Sequence, residues 1–136
     1  MADTYDFDRF LGDDELMAWV DDLAAEHPDV LTVETYSQSH EGRDLRLVTV
    51  TDQATGPHDT KPAHWIDANI HSVGLTASVA ACRVLQHLVE GFVTGDQQVT
   101  RALRTRTFSV VPRVNPDGAE WALADSPHYR RSSARN

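Results

Sequence analysis

The feature that most constrains the fold is a strand–helix–strand order in the middle of the chain. A nearly continuous apolar run, AHWIDANI, precedes the helix-like run LTASVAACRVLQHLVEGF, and a second apolar run, TFSVVPRV, follows it. The middle run has apolar residues at helical spacing, and the flanking runs are typical of strands covered on both faces. A crossover of this kind makes the two strands parallel, so we expect an α/β fold whose sheet is at least partly parallel.

The residues before this unit predict one helix and one hairpin. GDDELMAWVDDLAAEHPD places Leu16, Val20 and Leu23 on one helical stripe, which Pro28 ends. VLTVETY and LRLVTVT alternate apolar and polar residues on either side of the turn HEGRD, as the two strands of a hairpin do. Near the end of the chain, QQVTRALRTR predicts a short helix and NPDGAEW predicts a turn.

Composition excludes several classes of partner. The chain of 136 residues carries 21 acidic against 12 basic residues, a net charge of −9. No basic stripe is available to displace counterions from nucleic acid or to bind an anionic membrane, so we predict neither partner. Fifteen of the acids are Asp and Lys61 is the one lysine, a bias that either a high-salt cytoplasm or high-GC coding produces.

Other sequence signals predict a soluble chain in the cytoplasm. Its length suits one domain with its own core. The acidic start, MADTYDFDRF, lacks the apolar region of a signal peptide, and no apolar run reaches the about 18 residues needed to cross a bilayer. Cys82 lies in the apolar helix-like run, which favours a buried and inert thiol.

Two polar segments mark the candidate site. In open α/β sheets, sites form beyond the carboxyl ends of the strands. DANIHSVG and VVPRVNPDG both end predicted strands with polar groups, so we expect them at the same sheet edge. His71, in the first of them, stands where a strand ends and a helix begins.

These segments also carry a family resemblance. WIDANIHSVGLTAS, followed 44 residues after its His by NPDGAEWAL, resembles the zinc carboxypeptidases, whose metal motif is His-x-x-Glu. The hairpin YSQSHEGRDLRLVTVT and the stretch YRRSSAR match the family's pattern in order and spacing. The resemblance covers nearly the whole chain, from about residue 5 to residue 135.

The resemblance implies a mixed, mostly parallel sheet flanked by helices. Residues 1–136 would be the N-terminal part of one catalytic domain of this kind, and so an incomplete domain. It implies hydrolysis of the last peptide bond of a peptide or protein C-terminus by a zinc-activated water. Catalytic zinc needs three protein ligands and an open position for that water.

The chain departs from the family at the metal site. His71 falls on the first ligand, but the Glu position of the motif is Gly74, which has no side chain to donate. Arg131 corresponds to the family's oxyanion-stabilising arginine, with Arg130 the alternative if the match slips by one residue. The third ligand and the general base of the family are expected beyond Asn136.

Replacement ligands can be considered, but spacing favours none of them. Asp67 is four residues before His71, and strand alternation would place it on the same face, where it could orient the imidazole or be structural. The other candidates are His40, His64 and His128. His71 is therefore either a weak zinc ligand or an ordinary histidine at a strand end.

The remaining polar and aromatic residues have plainer interpretations. Asp117 is expected to bond its own turn, and Trp65 and Trp121 to pack in the interior. Arg113 and Arg131 are either structural or solvated, or they grip a peptide in a binding module without metal.

We therefore predict a zinc-dependent metallocarboxypeptidase-like protein that is truncated and inactive or severely impaired. The alternatives are a non-catalytic peptide-binding module and one half of a two-chain assembly with a complementing chain.

Overall fold

The computed structural model describes residues 5–129 and 131, which form four helices, two short 3-10 helices and four strands. In chain order these are α1 (Asp13–Glu26), β1 (Leu31–Gln38), β2 (Asp44–Val50), the 3-10 helices Gln53–Thr55 and His58–Thr60, β3 (Ala63–Asp67), α2 (Leu75–Thr94), α3 (Gln97–Thr105), β4 (Thr107–Val111) and α4 (Pro116–Leu123). The predicted first helix, hairpin, crossover helix and short helix are all confirmed. Within these described residues, no helix is long and apolar enough to cross a membrane.

The four described strands form one mixed sheet in the order β1-β2-β4-β3. β1 with β2 and β2 with β4 are antiparallel, and β3 with β4 is parallel. The crossover through α2 and α3 accounts for the parallel pair, since a chain that leaves a strand and returns by a helix runs in the same direction again. The predicted class, a mixed sheet flanked by helices, is confirmed.

The core lies between α1, α2 and one face of this sheet. That face presents Leu31, Val48, Val50 and Val110, each at most 2% exposed. From the helices it is covered by Leu16, Trp19, Val20, Leu23, Cys82, Leu85, Leu88 and Val89. These residues recur at helical spacing, which is why the two segments form helices that bury one stripe.

Cys82 lies inside this core and is fully buried. Burial raises the pKa of its thiol to about 12, although the charge of Arg113 and a hydrogen bond with Tyr5 each lower the pKa in part. The prediction that Cys82 is buried is confirmed, and its inertness, which so high a pKa supports, stays a prediction.

The prediction for β3 was wrong in one respect. β3 is a strand, but it lies at the edge of the described sheet and most of its residues are exposed. Trp65 is 58% exposed, so it does not pack in the interior as expected. An apolar run predicts a strand, but it does not identify the residues that would cover the two faces of that strand.

The Asn-Pro-Asp-Gly segment also differs from its prediction. It starts a helix, because Asn115 caps α4 by accepting a hydrogen bond from the Gly118 N–H at 3.0 Å, and Pro116 occupies the first turn. The same residue types favour tight turns and helix N-termini, so the sequence alone did not distinguish them.

Candidate functional site

The two polar segments lie side by side beyond the ends of β3 and β4. The Ala68 N–H donates to the Val111 carbonyl at 3.0 Å, and the Val114 N–H donates to the Ala68 carbonyl at 2.8 Å. One residue further, the Asn115 N–H donates to the Asn69 carbonyl at 3.1 Å. The structure therefore brings the His71 turn and the start of α4 to the same edge, as predicted.

His71 lies in the turn between β3 and α2, and its side chain is exposed. Its Nδ1 atom is 3.2 Å from the backbone carbonyl oxygen of Arg131. The two predicted site residues thus meet, although through the backbone of Arg131 and not through its guanidinium. Arg130, the alternative for the oxyanion position, lies outside the described residues.

Gly74 caps the N-terminus of α2 and donates its N–H to the His71 carbonyl at 2.9 Å. Its φ of −76° is open to any residue, so the backbone here does not require glycine. A Cβ at this position would meet the His71 carbonyl oxygen at 3.1 Å, which calls for a shift of a few tenths of an ångström. A side chain at this position would therefore require the His71 carbonyl to move by that amount.

The donor set does not fit a catalytic zinc ion. Among residues 5–129 and 131, no three His, Cys, Asp or Glu side chains lie close enough together to hold a metal. His71 offers one imidazole and Gly74 offers nothing, whereas a catalytic site needs three protein ligands.

Two of the three candidate histidines, His64 and His128, have aromatic neighbours of their own. The His64 ring contacts Phe108 with 5.8 Å between ring centroids, and His128 stacks on Trp121 at 5.3 Å. His40 is exposed beside the hairpin turn. None of them completes a metal site with His71 within the described part of the chain.

Asp67 does not take the orienting role that strand alternation allowed. Its Oδ2 atom accepts a hydrogen bond from the Trp65 indole N–H at 2.8 Å. β3 ends at Asp67, and Asn69 then adopts a left-handed φ of 59°. The two-residue alternation is lost at that point, so it could not be extended to His71.

The prediction that Asp117 bonds its own turn was wrong. This carboxylate is fully buried and accepts hydrogen bonds from the Ser39 hydroxyl at 2.7 Å, the Arg43 guanidinium at 2.7 Å and the Glu41 N–H at 3.0 Å. Burial alone would raise its pKa, but the bonds from Ser39 and Arg43 hold the pKa of Asp117 below its usual range. Asp117 therefore ties α4 to the β1–β2 turn.

Arg113 is structural, and it cannot grip a peptide. It is 1% exposed, donates to the Leu11 carbonyl at 3.0 Å and lies 3.6 Å from the Asp13 carboxylate. Burial raises the pKa of Asp13, and the charge of Arg113 offsets part of that rise. A peptide-binding module would have to rely on another arginine, and Arg131 is exposed.

Two buried asparagines near His71 were missed by the sequence reasoning. Asn69 and Asn115 are 3% and 4% exposed, and the Asn115 amide donates to the Ile70 carbonyl at 3.2 Å. The signal that could have found them is an Asn in the segment after each strand, two residues past the end of β3 and four past the end of β4. Asn suits such segments because it bonds local backbone and tolerates unusual φ values.

Comparison with known proteins shows which family the chain is similar to. A family model described as "Zinc carboxypeptidase" matches residues 16–136. Carboxypeptidase B of Astacus astacus is 31% identical over 119 residues, which are 88% of this chain and 37% of that protein. The Inactive metallocarboxypeptidase ECM14 of Saccharomyces cerevisiae is 24% identical over 134 residues, 96% of this chain and 31% of that protein.

Solved structures agree on the fold. Carboxypeptidase A from Helicoverpa armigera superimposes with a TM-score of 0.80 at 22% identity, over 93% of this chain and 30% of that one. At this identity the likeness concerns the fold alone. The chain spans about a third of the length of the two relatives named above, 37% of one and 31% of the other.

Proposed function

Because this chain belongs to the zinc carboxypeptidase family, we propose that residues 1–136 form the N-terminal part of one carboxypeptidase-like catalytic domain. We further propose that these residues by themselves hydrolyse C-terminal peptide bonds poorly or not at all. The observation that carries this is the ligand set. Position 74, where the family has its Glu ligand, is a glycine, and no group of three ligands exists among the described residues.

The chemistry of the family depends on a zinc ion, and the described residues supply too few ligands for one. When a protein of this kind binds zinc, the metal lowers the pKa of its water and polarises the peptide carbonyl. A single imidazole holds zinc weakly, so no step through the metal follows from these residues. His71 as a ligand, Arg131 as the oxyanion group, peptide C-termini as substrates and a cytoplasmic location all stay predictions.

The first test is zinc binding by calorimetry, with the unmodified chain beside Gly74→Glu. We expect the unmodified chain to show no tight binding. We expect Gly74→Glu to gain affinity by about tenfold or more, equivalent to about 1.4 kcal/mol, because the carboxylate adds a second donor next to His71. Gly74→Gln is the matched control, since its neutral amide has a similar shape and is a poor zinc ligand.

Hydrolysis is measured on the same preparations with a blocked peptide that reports release of its last residue. Turnover by the unmodified chain that a chelator abolishes would contradict the proposal. Tight binding of one zinc by the unmodified chain would do the same, and replacement of His40, His64, Asp67 and His128 in turn would then identify the missing ligand.

A further inference from the structure

Residues 5–11 form a strap that lies outside the regular elements of the fold. None of them belongs to a helix or a strand, and α1 begins two residues later, at Asp13. The strap is nevertheless part of the core, because Tyr5 at one end and Leu11 at the other are both buried. It therefore closes the interior without being held there by a sheet or by a helix of its own.

The strap covers the one cysteine of the chain. The Tyr5 hydroxyl lies beside the Cys82 thiol on α2, and the Tyr5 ring packs edge-on against Trp19 of α1 with 5.1 Å between ring centroids. The Arg83 guanidinium, next along α2, lies 5.3 Å from the centre of the Phe7 ring. Because Cys82 is fully buried, a reagent reaches its thiol only after part of this cover moves, and the strap is the part that no helix or strand holds.

Few hydrogen bonds attach the strap to the rest of the protein. Within the described residues, one backbone group of the strap bonds outside it, the Leu11 carbonyl, which accepts from the Arg113 Nη2–H at 3.0 Å. The Arg9 guanidinium forms an exposed ion pair with the Glu15 carboxylate of α1 through two hydrogen bonds of 3.0 and 2.8 Å. The strap can therefore leave the surface by breaking a small number of bonds.

Opening of the strap leaves the sheet and the helices intact, since none of the described strand pairs or helices includes a strap residue. Segments with few backbone hydrogen bonds to the rest of a protein open locally, at a lower free energy than global unfolding. In the closed state, burial raises the pKa of the Cys82 thiol to about 12. The thiol therefore reacts at neutral pH from an open state, in which water lowers its pKa and a reagent can reach it.

We propose that the strap is a detachable cover, whose local opening gives access to the Cys82 thiol while the sheet and the helices stay folded. Its two latches are the hydrogen bond from Arg113 to the Leu11 carbonyl and the ion pair between Arg9 and Glu15. The chain therefore has a closed native state that protects its one cysteine and an open native state that exposes it. Neither zinc nor a peptide takes part, so this proposal and the proposed function can fail independently.

The test is the rate at which Cys82 reacts with the aromatic disulfide dithiobis(nitrobenzoate), measured at urea concentrations below the unfolding transition. Cys82 loses its proton to solvent, its thiolate attacks one sulfur, the S–S bond of the reagent breaks, and the coloured thiolate that leaves is measured. The dependence of the rate on urea reports the surface that opening exposes. We expect a slope well below that of global unfolding, because the strap exposes few side chains, and a rate that follows the global slope throughout overturns the proposal.

Two variants and a matched control test whether the strap is the part that opens. Arg9→Gln removes an exposed ion pair and should raise the reaction rate about twofold to fivefold. Tyr5→Ala removes a buried ring and should raise the rate by about tenfold or more. Arg46→Gln is the control and should leave the rate unchanged, because Arg46 makes a similar pair with Asp21 of α1, at 3.0 and 3.2 Å, from β2 and not from the strap.

Equal acceleration by Arg9→Gln and Arg46→Gln would show that the thiol is reached by movement elsewhere, and the proposal would be overturned. If Tyr5→Ala does not fold, Arg9→Gln decides, because its ion pair is exposed and its loss leaves the core unchanged. A reaction rate in Arg9→Gln equal to that of the unmodified chain then overturns the proposal as well.

Discussion

His71 keeps its place at the edge of the sheet, while position 74, three residues later, contributes backbone groups and no side chain. The polar residues around them serve the backbone: Asn69 and Asn115 hold carbonyls of the turn, and Asp117 holds the hairpin. At the scale of single residues, the site is well organised but short of donors. Substitutions can therefore test separately which residues stabilise the fold around the site and which could bind a metal ion.

Asp117→Asn tests the structural contribution. The buried carboxylate binds Arg43 and Ser39, and removing its charge should lower the free energy of unfolding at pH 7 by about 2–4 kcal/mol, measured by urea denaturation. Because the pKa of Asp117 is lowered in the folded state, its contribution is complete above the unfolded value of about 4 and is lost as the pH falls further.

The stability difference between the unmodified chain and Asp117→Asn should therefore shrink below about pH 4. Asp59→Asn, at an exposed position, is the control and should change stability by less than about 0.5 kcal/mol. A difference of equal size at pH 7 and pH 3 would show that the interaction is not one of charge.

At the scale of elements, the relation between α2 and α3 depends on a glycine inside a helix. Gly91 lies within α2, and the helix ends at Gly95, whose φ of 74° is left-handed. A Cβ on Gly91 would lie 2.6 Å from a methyl group of Val99 on α3. The absent side chain of Gly91 therefore lets α3 approach α2.

Gly91→Ala should lower the free energy of unfolding by about 1–3 kcal/mol, because the added methyl group overpacks the contact with Val99. Adding Val99→Ala should recover part of that loss, and the coupling is measured by a double-mutant cycle in thermal or urea unfolding. Two losses that simply add would show that the helices already have room for the methyl group.

At the scale of the whole molecule, β1 and β3 are the two edges of the described sheet, and exposed apolar side chains lie near the β3 edge. No described strand pairs with the outer edge of β3, and Trp65, Ile70 and Val73 nearby are 58%, 58% and 60% exposed. Unpaired strand edges and exposed apolar side chains favour association. A complementing chain, the alternative raised by the sequence, would pair at this edge and stays a prediction.

The chain of 136 residues should therefore self-associate as its concentration rises, which sedimentation velocity measures. Trp65→Lys should weaken association by about tenfold or more, because a charge on an edge strand opposes pairing. Val93→Lys, at a similarly exposed position on α2, is the control and should have no such effect. A chain that stays monomeric at all concentrations would show that the edge is protected.

Much of this protein was determined locally by its sequence. Helical and alternating spacing fixed the helices, the hairpin and the parallel pair, because the period of apolar residues states which face must be buried. The substitution at Gly74 and the burial of Cys82 were likewise visible in the chain itself. These features depend on residues close in sequence or on the absence of a side chain.

Tertiary structure decided what depends on contacts across the chain. It buried Arg113 beside Asp13, 100 residues earlier in the sequence, and it joined Asp117 to a turn more than 70 residues away. It exposed β3 and placed Asn69 behind His71. A polar residue in a loop has many possible partners, and only the packing of distant elements selects one, because a buried charge or amide must find its hydrogen bonds wherever the fold brings them.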